Sequence, residues 1–237
     1  MMKKVIVLCV LFLPTLLFAQ FQGGINFTVV APQDEFKENV DNLGYGVAGD
    51  FLVRPGDGQF GFGGGLGFSI YGSETRRVPF SLTIPEVKVD VETTNNILFG
   101  HLELQYRFLT GPVQPYVEGL FGFNYLFTET AIKDTDHDWD DDYDDEIASN
   151  TNQSDFTNSY GIGAGLMFKL LDIKNEDKSK KVGGMYLDLK VRSLTGGEGE
   201  YLKEGSIERS TTGDLSFDVE KSKISMLTYH IGLVFQF

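Results

Sequence analysis

Leu227, Tyr229, Ile231, Leu233, Phe235 and Phe237 are apolar, and the residues between them, Thr228, His230, Gly232, Val234 and Gln236, are small or polar apart from Val234. A period of two sends successive side chains to opposite faces of an extended chain, so this last segment reads as a β-strand with one apolar and one wetter face. The same period recurs upstream. Ile25, Phe27 and Val29 oppose Asn26 and Thr28, and Phe60, Phe62, Leu66, Phe68 and Ile70 oppose Gly61, Gly63, Gly65, Gly67 and Ser69. Beyond residue 20 no apolar run approaches the ~20 residues that a membrane-crossing helix needs. Two architectures accept such strands. A secreted sandwich or lipocalin-like barrel turns the apolar faces inward. A membrane barrel turns them outward and closes, because backbone groups in lipid need internal partners.

The start of the chain agrees with export, which both architectures need. Lys3 and Lys4 precede an apolar run from Val5 to Phe18, followed by Ala19, the charged, apolar, small-residue order of a secretory signal peptide. Residues 1–20 are read as that leader and 21–237 as one barrel domain. Cys9, the single cysteine, lies inside the apolar run, so the exported chain is expected to carry neither disulfide nor lipid. Without Lys3 and Lys4 the chain has 18 basic against 34 acidic residues, a net of −16, which argues against a nucleic-acid partner.

Eight strands are predicted, at about 21–30, 43–54, 60–71, 96–108, 115–127, 157–170, 185–194 and 225–237. The connections 31–42, 72–95, 128–156 and 195–214 are long and the others mostly shorter. That asymmetry belongs to barrels with short periplasmic turns and longer outer loops. Val87, Val89 and Val91 alternate with charged residues, and Leu215, Phe217 and Val219 keep the register of the last strand, so strands three, four and eight are expected to continue above the bilayer. The predicted fold class is all-β, an eight-stranded antiparallel up-and-down transmembrane β-barrel with long extracellular loops.

The terminal Phe235-Gln236-Phe237, the leader end Phe18-Ala19-Gln20 and the glycine–aromatic alternation of strands three and six together resemble the outer-membrane protein beta-barrel domain family, of the small eight-stranded type found in Gram-negative bacteria and common in Bacteroidota. The resemblance implies an outer-membrane location. It also implies that Phe237 is the signal read by the barrel-assembly machinery, and it carries no catalytic motif.

Inward-facing positions supply the candidate functional residues. Asp50, Glu103, Glu118 and Asp188 face Arg54, Arg107, Lys169, Lys190 and Arg192, with His101 and His230 among them. An eight-stranded interior is just wide enough for side chains to fill, so these groups are expected to pair and to plug the lumen. Gln105 is expected opposite Glu118, with Arg107 in ion-pair reach of Glu118. The glycines of strands three and six are expected to make room for long cationic side chains. Asp134, Asp136, Asp138, Asp140 and Asp142 alternate like a calcium loop, but Trp139 stands where the turn would need glycine. The tract is read as a mobile acidic connection able to associate with Ca2+ or Mg2+ and to bridge to lipopolysaccharide; no other cofactor is expected. The expected role is structural or surface-interacting, through acidic outer loops toward an extracellular partner, with outer-membrane lipid around the barrel. A small-solute channel or transporter is the alternative. A lipid-modifying barrel enzyme is disfavoured, since neither His101 nor His230 is followed by a His-x-Ser pattern.

Overall fold

The computed structural model describes residues 19–56, 58–81, 84–134, 146–174, 181–209 and 215–237. It contains β1 (Ala19–Gln33), α1 (Asp34–Asn39), β2 (Gly44–Pro55), β3 (Phe60–Ser81), β4 (Ile84–Arg107), β5 (Val113–Asp134), β6 (Glu146–Lys174), β7 (Lys181–Arg209) and β8 (Leu215–Gln236). Each strand pairs antiparallel with its sequence neighbours, and β8 returns to β1, so the sheet is a closed barrel in chain order. The last rung joins the two ends: Phe237 N–H donates to Phe21 O at 2.8 Å and Phe21 N–H to Phe237 O at 3.0 Å. The expected leader lies outside the described residues except for its last two positions, which belong to β1.

Alternation decides which side chains leave the wall. Ile25, Val47, Leu66, Leu102, Phe121, Ile162, Leu189 and Ile231, one from each strand, all stand exposed on the outer surface. Their sequence neighbours of opposite parity are buried inside, among them Asn26, Ala48, His101, Leu120 and His230. The apolar faces therefore point out around the whole circumference.

The strands are longer than the sequence pattern predicts. At about 3.4 Å per residue, the 29 residues of β6 and of β7 each extend far beyond the ~9–11 that cross a bilayer. Most of what reads as long connections is paired strand. The continuation of β3, β4 and β8 matches expectation. The 128–156 segment does not: β5 and β6 stay paired, through two register shifts, from Thr128 opposite Gln153 to Lys133 opposite Glu146, so only 135–145 remain, outside the described residues. Both faces there are polar, so the hydrophobic period fades while the backbone ladder continues. The 31–42 connection also differs, because it contains α1, whose Phe36 is buried.

Above the mouth the ring opens. β2–β3 pairing ends at Tyr45 opposite Ile70, and β6–β7 pairing ends at Ser159 opposite Gly196. What rises further is a four-stranded sheet, β3–β6, and a separate β7–β8 hairpin. Register shifts between Thr195 and Glu198 and between Leu202 and Ile207 bend the hairpin, and Gly205 at φ 80° supplies a backbone conformation that glycine tolerates best.

Candidate functional site

The middle of the lumen holds one connected set of ions. Asp50 accepts from Lys190 Nζ, from Arg192 Nη2 at 3.1 Å and from Asn26 Nδ2 at 2.7 Å. Arg192 also donates from Nε to Glu118 Oε1 at 2.6 Å and from Nη2 to Glu103 Oε1 at 2.8 Å. Lys190 lies 3.6 Å from Asp188, whose two oxygens accept from Tyr116 Oη at 2.8 and 3.0 Å. His230 is held between Thr28 and Thr228 at 2.9 and 2.8 Å, and His101 Nε2 lies 3.0 Å from Ser159 Oγ. All of these residues are buried.

Glycine makes this layer possible at specific points. A Cβ on Gly163 would come within 2.7 Å of Glu118 Oε1, and one on Gly65 within 2.6 Å of Glu103 Oε1 and 2.7 Å of Asp50 Oδ1. The expectation of room for cations is thus only part of the outcome. Gly65 and Gly163 accommodate carboxylates, and Gly67 gives its space to the Phe99 ring.

Three of the predicted lumen residues stand apart from the central set. Arg54 donates to Gln105 Oε1 at 2.6 Å and to Gln59 O at 2.7 Å, toward the chain-terminal end. Gln105 does pair with Glu118 in register, but Arg107 donates to Gln114 Oε1 at 2.8 Å, and Glu118 takes its ion pair from Arg192. The β6–β7 register explains this correction: Gly163 opposes both Glu118 and Arg192, and its missing side chain lets the two meet across it. Lys169 is corrected outright. It is half-buried at the rim, where it pairs with Asp172 and sits 5.9 Å from the Tyr186 ring, because it lies one residue past the last β5–β6 pair, Val113 opposite Phe168, where only the β6–β7 hairpin continues.

Apolar clusters flank the ions on both sides. Tyr116, Met167, Tyr186 and Val234 cluster toward the termini. Val30, Phe36, Tyr71, Ile97, Phe99, Leu120, Leu126, Leu194, Tyr201, Ile224 and Met226 belong to a larger cluster toward the hairpin ends. The sequence reading missed this second plug. Its signal was available as parity, since Ile97 and Phe99 share a face with His101 and Glu103.

The β7–β8 hairpin is tied over the mouth. Asn39 donates to Tyr201 Oη at 3.0 Å and Asn42 to Glu204 Oε2 at 2.7 Å. Arg76 donates to Ile207 O at 2.7 Å, and Gly205 N–H to Glu74 Oε2 at 3.2 Å. Hydrogen bonds from Arg76 hold the Glu74 carboxyl below the ordinary carboxylate range, and the bond to Glu220 raises Lys203. Of the five candidate metal-binding aspartates, Asp134 closes β5 and the other four lie outside the described residues. Among the described residues no group of three or more His, Cys, Asp or Glu is arranged to hold a metal.

No protein-family model and no curated protein matches the chain. Solved structures do. The chain is similar to Ail, the attachment invasion locus protein of Yersinia pestis, at 11% identity over 92% of this chain and 97% of that one, with a TM-score of 0.39. It is similar to a major outer membrane protein from Thermus thermophilus at 14% identity, 92% and 99% coverage and a TM-score of 0.42. It is also similar to the outer membrane protein OprG from Pseudomonas aeruginosa at 14% identity, 92% and 96% coverage and a TM-score of 0.39.

Proposed function

We propose that this chain is an integral outer-membrane barrel with a filled lumen that acts at the cell surface through the hairpin ends above its mouth. The observation that carries the reading is the pairing of a continuous apolar outer wall with an interior sealed on both sides of its ion layer. An apolar surface running round a whole molecule needs lipid to cover it. A conducting pore needs a continuous wet path, and the apolar clusters above and below Arg192 interrupt one. A cavity of about 910 Å³ is a groove on the wall where Gly49 and Gly64 stand between Phe51, Leu66 and Leu102.

Enzymatic chemistry has one geometric argument in its favour, the His101–Ser159 contact that the sequence order did not suggest. Ser159 is fully buried and His101 nearly so. The role proposed is non-enzymatic, with outer-membrane lipid and lipopolysaccharide as surroundings, the assembly machinery as a transient partner and an extracellular partner at the rim. The aspartates from Asp134 to Asp142 take part by loose association with Ca2+ or Mg2+.

Planar-bilayer recording tests the reading. Pure refolded protein should insert from detergent and give no stable conductance steps. Reproducible single-channel steps would overturn the filled-lumen reading in favour of a transporter, and a monomer that stays soluble without detergent would overturn the membrane reading.

A further inference from the structure

The groove of about 910 Å³ on the outer wall lies near the top of the size range of ligand pockets, about 300–1,000 Å³. Pairing registers set Gly49, Leu66, Gly100, Phe123 and Asn158 in one outward-facing row across β2 to β6. Gly64 falls in the next row toward the termini, between Phe51 and Leu102. Side chains already fill the space over Gly100, where a Cβ would come 2.7 Å from the Phe123 ring and 2.8 Å from Leu66 Cδ2. They leave it open over Gly49 and Gly64. A Cβ there would meet only backbone, at its nearest Gly24 O at 3.6 Å and His101 O at 3.0 Å.

The groove has a direction. Gly49 stands near the middle of β2, whose 12 residues run from the mouth at Gly44 to the turn at Pro55. Asn158 adjoins Ser159, where β6–β7 pairing stops at the mouth. With strands about 4.8 Å apart and tilted about 40° from the membrane normal, a line crossing the four spacings from β2 to β6 climbs about 12 Å. One leaflet of a hydrocarbon core about 30 Å thick is about 15 Å deep. The groove therefore rises from the middle of the bilayer to its mouth-side surface, the path of one acyl chain of that leaflet.

The lining matches such an occupant. Asp50 and His101 border the groove, but their parity sends their side chains into the ion layer. Among the described outward-facing residues none is charged, and Asn158 is the polar one. It lies at the upper end, beside Phe156, whose ring stacks on Phe123 at 5.1 Å. The Asn158 side chain offers a donor and an acceptor together. An amide-linked acyl chain presents the same pair, and an ester-linked one acceptors alone. Lipopolysaccharide carries amide-linked chains, whereas glycerophospholipids carry esters. The groove is continuous with the apolar wall that lipid covers, so its occupant comes from the bilayer. A chain standing upright crosses the groove and leaves Gly49 and Gly64 uncovered, which forfeits dispersion contacts. A chain that follows the incline covers both.

We propose that this groove holds one amide-linked acyl chain of lipopolysaccharide, with its linkage hydrogen-bonded to Asn158 and its methyl end over Gly49. The assignment deepens the outer-membrane reading above and rests on it for the surrounding lipid and for which end of the barrel meets the medium.

Native mass spectrometry of the refolded barrel in detergent micelles tests it. The probes are purified lipid A, the acylated part of lipopolysaccharide, and separately a phosphatidylethanolamine of matched chain length. One lipid A should stay bound per barrel under collisional activation that strips the phospholipid. Gly49→Leu, which fills the lower end of the groove, should abolish that retention. Asn158→Leu should weaken it about tenfold, the loss of one good hydrogen bond. Gly119→Leu, on the outward wall away from the groove and with nothing within 4 Å of its Cβ, should leave it unchanged. Heat-modifiable migration checks that every variant folds. Equal retention of the phospholipid, undiminished retention by Gly49→Leu, equal loss in Gly119→Leu, or pairs of barrels without lipid that Gly49→Leu separates would each overturn the proposal. If the barrel still requires detergent and stays silent in bilayers, that failure falls on the groove and not on the barrel reading.

Discussion

Around Asp50 the interior is ionic, with four carboxylates, Asp50, Glu103, Glu118 and Asp188, contacting two cations, Lys190 and Arg192. Toward the hairpin ends the same wall encloses Phe99, Leu120, Leu194 and Met226 with no ion among them. The side chains of both regions are buried, but their tolerances differ. In the apolar half each side chain is replaceable at the cost of its own contacts. In the ionic half each group's desolvation is offset only while its partners stay in place.

The sharpest way to break this contrast is Arg192→Met. Asp50, Glu103 and Glu118 would lose a shared cation in a sealed layer, a loss of roughly 3–5 kcal/mol, read from urea unfolding of the refolded barrel. A shift of the midpoint too small to resolve would show that water reaches the layer, contrary to the sealing argument. Leu194→Ala, in the apolar half, should cost about 3 kcal/mol through the cavity it leaves, and this loss should be insensitive to salt.

A smaller change sharpens the role of the wall itself. Gly163→Ala puts a methyl group 2.7 Å from Glu118 Oε1 and 3.1 Å from Arg192 Cγ, and overpacking of this kind costs about 1–3 kcal/mol. Gly119→Ala, with nothing within 4 Å of the new atom, is the matched control. Equal stability of the two variants would remove the claim that glycine shapes the ion layer.

The smallest effect lies outside both halves, at the mouth. Glu74 has a lowered pKa because Arg76 hydrogen-bonds its carboxylate. Such a group contributes above its ordinary unfolded value, and the contribution is lost as pH falls through the lowered folded one. Acidification past that point should loosen Gly205 and Arg76 from their partners and expose the bend near residues 203–209 to pepsin, while the barrel keeps its heat-modifiable migration. Cleavage elsewhere first would show that the hairpin is tied mainly by Asn39, Asn42 and the buried Tyr201.

Much of this architecture was legible in the chain. Alternation in Leu227–Phe237 and its upstream counterparts is a local property, and a period of two assigns faces without knowledge of any partner. Strand number, the outward apolar set, the Gln105–Glu118 register across a tight turn and the burial of Asp50, Glu103, Glu118, Asp188, Lys190 and Arg192 follow from it. The tertiary structure alone decided which ions meet. Glu118 and Arg192 are 74 residues apart, and they touch because the β5–β6 and β6–β7 registers bring both beside Gly163; no pattern within one strand encodes two registers at once. Lys169 left the network for a similar reason, since the point at which β5 stops pairing with β6, at Val113 opposite Phe168, is set by the register between the two strands. The groove on the wall was the least legible. Gly49, Gly64 and Gly100 come from three separate strands that only the β2–β3 and β3–β4 registers bring together.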